Sequence, residues 1–346
     1  MKVLFLYTEL AGYFLSCIDS LLKRDIEVHI VRWPVNKEAP FSFSFSDKIK
    51  IYDRHELKRK DLLALVQKIS PDLILCSGWI DKDYLKVCRE FRGKIPVVAL
   101  MDNKWKGTLR QRIGILLGKR MIHNSFSHCW VPGNLQKEFA KRLGFDDQHL
   151  KRGFYSCDFE SFHALYIRNK QQKKESFPHK LLYMGRYYEF KGIKDLWQAF
   201  SELQKENPND WELWCLGTGT VPPVEHPRIK HFGFIQSNKM GEFAAQTGVF
   251  VLPSHVEPWG VVVHEFASAG FPLICSNEVG ASEAFVRNGE NGLLFKSGNI
   301  TELKNVLKNI FAMTNQQLYE MGEKSASLAD RITPEKWADI LISFVK

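Results

Sequence analysis

Short apolar runs alternate with longer amphipathic segments along this chain. Apolar-rich runs fall at 3–7, 27–31, 73–76, 97–100 and 129–131, of which 27–31 also holds Glu27 and His29. Runs of this kind predict parallel strands covered on both faces. The segments 13–23, 59–68 and 135–143 lie between the runs and read as helices. A second series of strand-like runs occupies 180–184, 212–216, 229–232, 249–252 and 273–275. Repeated strand–helix alternation predicts the α/β class, as two doubly wound Rossmann-like domains facing each other across a cleft. The polar, charged stretch 167–178 ends in Pro178 and is expected to be the linker. The expected division is 1–166, linker 167–178, 179–330, and a terminal helix over 331–346. Thr333 and Pro334 open that last helix as N-cap and first-turn proline.

Composition narrows the function classes. At 346 residues, 45% hydrophobic and 25% charged, the chain is an ordinary globular one and not a disordered one. No stretch is apolar for long enough to span a bilayer. The apolar start at residues 3–7 breaks at Thr8 and is expected to be a first buried strand, not a leader. Seven cysteines are scattered without a C-x-x-C pair, as expected of reduced core residues in a cytoplasmic protein. Charge is uneven. Residues 1–165 carry 28 Lys+Arg against 19 Asp+Glu, while the remainder carries 20 of each. A basic first half suits an anionic partner, either a phosphate-bearing acceptor or an anionic membrane surface, or a merely solvated face. A basic pI alone does not indicate nucleic-acid binding.

Ligands of doubly wound sheets bind beyond the carboxyl ends of the strands, so chemistry is sought there. After the 249–252 run come Glu257, Pro258, Trp259 and Gly260, then a helix that ends at Gly270. The amides of Gly260, Val261 and Val262 would point out of the helix N-terminus, an arrangement suited to phosphate. Glu265 lies one turn further, on an otherwise apolar face, where a carboxylate needs hydroxyl donors. After the 180–184 run, Gly185, Arg186, Lys191 and Gly192 place two cations on a glycine-flanked loop able to hold a diphosphate. Gly217-Thr218-Gly219 follows the next strand and could cradle a nucleotide. Gly12 follows the first strand and precedes a helix in a phosphate-type turn.

Glu257 and Glu265 are separated by seven residues. With Gly185-Arg186…Lys191-Gly192 and Gly280-Ala-Ser-Glu283…Gly289-Glu-Asn-Gly292, they resemble the retaining glycosyltransferases of family 4, of GT-B fold. The specific part of the resemblance covers about 180–295. It implies a hexosyltransferase-type enzyme that moves sugar from a nucleotide-diphosphate sugar to an acceptor hydroxyl with retention. Arg186 and Lys191 would neutralise the leaving diphosphate, and the amides of Val261 and Val262 would bind phosphate. Glu257 would hold the transferred sugar and Glu265 the ribose. Gly12 would give the first domain access to the donor, and the terminal helix would return to that domain. The charge work falls to cations, so no metal or other cofactor is expected. The first domain departs from the family pattern: where many relatives carry a His after the 97–100 strand, this chain has Asp102-Asn103-Lys104. Asp102 is the candidate to orient or deprotonate the acceptor. The expected acceptor is a glycan or a lipid-linked one in cell-surface polysaccharide or lipopolysaccharide assembly, with the enzyme at the inner face of the membrane. The alternatives are a sugar-nucleotide epimerase on the same fold and a non-catalytic nucleotide-sugar-binding protein.

Other features have plainer readings. Asp81-Lys82-Asp83 spells D-x-D, but at a helix start acids serve the helix N-terminus. His123 and His128 lack a clustered carboxylate and suggest no metal site. His255 and His264 flank the glutamates and are each either structural or direct participants. The segment 105–122 mixes cations with large apolar residues, as either a basic interfacial helix or one packed into its own domain.

Overall fold

The computed structural model describes residues 1–8, 10–34, 45–236 and 239–346. The chain forms two compact units, Met1–Ser156 with Ile332–Lys346, and Cys157–Arg331.

The first unit runs β1 (Lys2–Tyr7), α1 (Gly12–Leu22), β2 (Glu27–Arg32), β3 (Ile49–Asp53), α2 (Arg59–Ile69), β4 (Leu73–Ser77), α3 (Lys82–Phe91), β5 (Val97–Leu100), α4 (Leu109–Ser125), β6 (His128–Val131), α5 (Asn134–Leu143) and β7 (Leu150–Arg152). Its strands form one parallel sheet in the order β3-β2-β1-β4-β5-β6-β7. Successive strand residues face opposite sides, so Leu4 and Leu6 join one apolar layer with Leu62, Val66 and Tyr84. Val3 and Phe5 join the other layer, with Phe14, Ile18 and Trp337. Both faces are covered, which explains why β1, β4 and β5 read as apolar runs.

The second unit runs α6 (Phe159–Glu175), β8 (Lys180–Met184), α7 (Ile193–Glu206), β9 (Glu212–Leu216), β10 (Ile229–His231), α8 (Met240–Gln246), β11 (Val249–Leu252), α9 (Val261–Ser268), β12 (Leu273–Ser276), α10 (Ser282–Phe285), β13 (Gly292–Phe295), α11 (Ile300–Phe311) and α12 (Asn315–Ala329). Its sheet is also parallel, in the order β10-β9-β8-β11-β12-β13. The chain builds outward from β8 through β9 and β10, then returns to lay β11 on the other side of β8. That reversal opens a crevice at the strand ends between β8 and β11, where open α/β sheets bind ligands.

The last segment, α13 (Pro334–Ile342), belongs to the first unit and lies against α1. Thr333 caps it by accepting from the Lys336 amide, with Pro334 in its first turn. Trp337 is buried against Phe5, Phe14 and Trp130, and its Nε1–H donates to the Phe154 carbonyl at 2.7 Å.

Two expectations are corrected. The stretch 167–178 is not a linker; most of it lies in α6, and the break between units falls at Cys157 instead of 166. Asp158 caps α6 through the Ser161 amide, and no proline interrupts 159–175. Its Lys, Gln and Glu residues are good helix formers, so their polarity marks a solvated face and not a loop. Phe162, Asn169 and Lys173 form its buried side. The strands β3, β7 and β13 also escaped the apolar-run reading: β3 interleaves Lys50 and β7 is three residues of which two are basic. Of the 105–122 segment, 109–122 lie in helix α4 despite Gly114 and Gly118, started by Thr108 accepting from the Gln111 amide, while 105–107 precede it.

Candidate functional site

The β8 and β11 ends carry the cations and the first carboxylate. Past β8 the chain crosses Gly185 and Arg186, makes a 3-10 turn at Glu189–Lys191, and enters α7 through Gly192. Gly192 has φ +65°, and a Cβ there would stand 2.2 Å from the Pro253 carbonyl oxygen, so the loops after β8 and β11 touch backbone to backbone. The amides of His255 and Val256 donate to the Phe190 carbonyl at 2.8 and 3.2 Å. The Lys191 ammonium meets a Glu257 carboxylate oxygen at 2.5 Å, with both side chains largely buried. Ser254 donates to the same Glu257 oxygen at 3.4 Å. Arg186 is half-buried, and its carbonyl accepts from the buried Tyr183 hydroxyl.

The segment after β12 holds Glu257 from behind. The Gly280 amide donates to the Glu257 carbonyl and the Ala281 amide to the Trp259 carbonyl. A Cβ on Gly280 would lie 2.1 Å from the Pro258 carbonyl oxygen, which is the physical reason for the glycine in Gly280-Ala-Ser-Glu283. Asn291, in the Gly289…Gly292 motif, is fully buried and structural: its amide group donates to the Phe285 carbonyl and Ser325, and its oxygen accepts from the Arg287 amide.

Gly260 caps α9 with φ +89°, and a Cβ there would press on the Glu257 side chain at 3.0 Å. No side chain caps α9. Among the described residues, the amides of Gly260, Val261 and Val262 have no acceptor. They form an electropositive, unsatisfied helix end beside Glu257. Glu265 follows in the next turn. Burial, reinforced by the Asp158 carboxylate, pushes its carboxyl up to about 7. Its side chain has no hydrogen bond or ion pair among the described residues. The Nε1–H of buried Trp259 also lacks a partner.

Other candidates sort differently. The Gly217 amide is engaged by the Gly233 carbonyl at 2.7 Å, and its Cβ would overlap the Gly185 carbonyl oxygen. The glycines of Gly217-Thr218-Gly219 thus serve the close packing of that loop on Gly185–Tyr187, which accounts for them without a ligand. His264 is structural: its Nδ1 accepts from the Cys157 amide, its Nε2–H donates to the Ala329 carbonyl, and its ring stacks on Phe285. His255 instead bonds Asp195 at 2.7 Å, a pair that nothing in the spacing of either residue announces. Asp81 caps α3 through the Asp83 and Tyr84 amides and pairs with Arg54, so the D-x-D is a helix start. Among the described residues, no group of three His, Cys, Asp or Glu side chains is placed to hold a metal.

In the first unit, Gly12 is the first residue of α1, just past β1. Asp102 lies beyond the end of β5 and accepts from the Tyr155 hydroxyl at 3.2 Å. Helix α4 exposes Leu109, Leu116 and Leu117 at 73%, 81% and 75%, with Ile113 also exposed, which rules out a helix packed wholly into its own unit. At 100° per residue these four fall within an arc of roughly 100°. Arg110 borders it on one side and Arg112 and Lys119 on the other, while the exposed Arg120 falls within the arc at its C-terminal end. Among the described residues, no helix is long and apolar enough to cross a membrane.

Residues 178–312 match the family described as Glycosyl transferases group 1. Over 142 residues the chain is 30% identical to a glycogen synthase of Mycobacterium tuberculosis, covering 38% of this chain and 34% of that one. It is also 30% identical over 138 residues to the lipopolysaccharide core biosynthesis glycosyltransferase LpsE of Rhizobium meliloti, covering 37% and 38%. The chain thus spans little more than a third of the length of these curated relatives. Its fold extends the likeness to the whole chain. Sucrose-phosphate synthase from Thermosynechococcus elongatus superposes with TM-score 0.73 at 17% identity, covering 99% of this chain and 98% of that one. Anabaena Alr3699/HepE in complex with UDP-glucose gives 0.70 at 17%, covering 99% and 98%. The two parallel α/β units are those of the GT-B glycosyltransferase fold.

Proposed function

We propose that the protein is a glycosyltransferase that moves a hexose from a nucleotide-diphosphate sugar to an acceptor hydroxyl with retention of configuration. The observation that carries this reading is the meeting of Lys191 and Glu257 at the β8–β11 switch, beside the uncapped N-terminus of α9. A cation and open helix amides are what a diphosphate needs, and a neighbouring carboxylate is what sugar hydroxyls need.

In the proposed reaction the bond between sugar C1 and the diphosphate oxygen breaks while the acceptor oxygen bonds C1 from the same face. Charge grows on the departing diphosphate. Arg186, Lys191 and the amides of Val261 and Val262 stabilise it, chiefly by preorganised electrostatics. Glu257 accepts hydrogen bonds from the transferred sugar, and Glu265 accepts those of the ribose. Asp102 is assigned to the acceptor hydroxyl, orienting it or taking its proton. The cations supply the charge that a metal would otherwise supply. Gly12 and Gly185 let the donor approach the backbone, and Gly217 supports the Gly185 loop.

The proposed acceptor is a growing glycan on a lipid carrier, in cell-surface polysaccharide or lipopolysaccharide assembly, as the name of the LpsE relative suggests. The exposed apolar stripe of α4, bordered by cations, suits peripheral contact with an anionic membrane surface.

The test is thermal stabilisation by a panel of nucleoside diphosphates and nucleotide sugars, for the wild type and for Arg186→Ala and Glu265→Ala. A ligand at a hundredfold its Kd adds about 2.7 kcal/mol. One diphosphate should stabilise the wild type and neither variant. No response from any compound, or equal responses from all three proteins, sinks the donor site. Conversion of the stabilising nucleotide sugar without any acceptor would favour the epimerase reading.

A further inference from the structure

The ladder between β8 and β11 pairs Val249 with Leu181 and Phe250 with Leu182. Lys191 lies seven residues beyond the end of β8, and Glu257 five residues beyond the end of β11. The sheet therefore fixes the bases of the two loops and leaves their tips to local contacts. The contacts present are of two kinds. Backbone bonds join His255 and Val256 to Phe190, next to the Gly192 approach to Pro253. A side-chain bond joins His255 Nε2–H to Asp195 Oδ2 at 2.7 Å. A carboxylate partner can only accept, so this imidazole nitrogen is the donor.

We infer that His255 and Asp195 are positioning residues, a brace that sets the placement of Lys191 against Glu257. Asp195 sits in the first turn of α7, where the helix N-terminus favours its charge and the helix holds it rigidly. It lies four residues after Lys191, while His255 lies two residues before Glu257. The brace and the Lys191–Glu257 pair thus join the same two segments in parallel. Their linkage differs in kind. Lys191 must exchange Glu257 for diphosphate oxygens when a donor arrives, which releases one of the ties between the loops. The His255–Asp195 bond lies outside that exchange and remains to hold the loops in register. Catalytic sites lose much of their power when charged groups shift by an ångström, so a tie that survives ligand binding has work to do.

The test has two arms. The first is a double-mutant cycle on unfolding, using Lys191→Met and Glu257→Gln, run in the wild-type background and again with Asp195→Ala. It needs no ligand. The Lys191–Glu257 coupling should be about fivefold in the unfolding constant with the brace and close to onefold without it. Equal coupling in the two backgrounds overturns the inference. The second arm rests on the donor-site reading and measures Kd for the nucleoside diphosphate that stabilises the wild type. Asp195→Ala and His255→Ala should weaken it about tenfold. Asp195→Asn and His255→Gln keep an acceptor and a donor in place and should stay within about threefold of the wild type. Alanine variants that bind as the wild type does overturn the brace. A wild type that binds no nucleoside diphosphate refutes the donor reading, and the coupling arm then decides the brace by itself. If Asp195→Ala fails to fold, His255→Phe, which keeps a ring and removes the Nε2–H, carries the same cycle; a coupling close to onefold supports the brace, and one equal to that in the wild-type background overturns it.

Discussion

Glu265 carries a charge that folding does not compensate, and this gives a quantitative prediction. An ordinary glutamate titrates at 4.5, and this one is pushed up to about 7 by burial and by the Asp158 carboxylate. The folded protein therefore holds this proton more tightly than the unfolded chain does. Stability is full below pH 4.5, falls as pH rises between 4.5 and about 7, and stays reduced above that. The shift corresponds to a cost on the order of 3 kcal/mol at pH 8. Glu265→Gln removes the charge and keeps the shape. Its amide has its own burial cost, but that cost does not change with pH. The quantity to read is thus the difference between variant and wild type at two pH values, from urea unfolding. Glu265→Gln should gain about 2–3 kcal/mol on the wild type between pH 5 and pH 8. The same variant should bind the donor more weakly. Hydroxyls donating to Glu265 favour its ionised form, so wild-type affinity for a nucleoside diphosphate should climb about tenfold from pH 6 to pH 8 beyond whatever Glu265→Gln shows. A variant whose stability relative to the wild type is the same at pH 5 and pH 8 would falsify the uncompensated carboxylate.

Three further outcomes follow from the packing. Trp337→Ala empties a site between Phe5, Phe14 and Trp130 and removes the bond to the Phe154 carbonyl, so it should cost about 3–5 kcal/mol; calorimetry showing less than about 1 kcal/mol would refute that placement. Gly192→Ala puts a Cβ against the Pro253 carbonyl at a left-handed backbone position and should destabilise by about 2 kcal/mol or more, measured by urea unfolding; a neutral result would mean the two loops do not touch as described. Leu116→Ser with Leu117→Ser should abolish sedimentation with anionic vesicles at low salt while leaving the melting temperature within about 1 °C, because both leucines are already exposed; equal sedimentation of variant and wild type, or none by the wild type, refutes the α4 surface.

Much of the fold was legible because parallel strands covered on both faces leave unbroken apolar runs. Ten of the strands were read from such runs, although β2 holds Glu27 and His29 and β10 holds Lys230 and His231. Of the three that escaped, Lys50 breaks β3 and two of the three residues of β7 are basic, while β13 is as apolar and as long as β5 and its sequence does not account for the miss. The stretch 167–178 misled for the opposite reason. Charged residues that build the solvated side of α6 have the composition of a linker, and only the buried Phe162, Asn169 and Lys173 reveal the helix. In the second unit, motif spacing brought out the glycines, cations and glutamates around the switch, since each belongs to one loop. Spacing cannot reveal ties between loops. The Lys191–Glu257 and His255–Asp195 pairs join residues more than fifty positions apart, and nothing in their local sequence distinguishes His255, which bonds Asp195, from His264, which is sealed between Cys157 and Ala329.

The distribution of unsatisfied groups argues for a ligand more strongly than any single motif does. Buried polar groups in this unit are generally paired: Asn291 makes three hydrogen bonds, His264 two, and Ser276 closes on the Ser254 carbonyl. Among the described residues of this unit, the buried side-chain atoms left without a hydrogen-bond partner are few: His163 Nδ1 and Lys173 Nζ on α6, and Trp259 Nε1. Yet within nine residues of chain stand the amides of Gly260, Val261 and Val262, the indole N–H of Trp259 and the carboxylate of Glu265, none with a partner among the described residues. Four donors and one acceptor remain, clustered at one end of one helix. Water reaches the half-buried Glu265 and relieves part of this cost, yet burial still pushes its carboxyl up to about 7. A donor molecule with an anionic diphosphate and hydroxyl-bearing sugars has the complementary set, acceptors for the amides and donors for the carboxylate. The uncompensated charge of Glu265 is then a cost that hydroxyl donors of a ligand would offset, and Glu265→Gln should recover that pH-dependent part without any ligand at all.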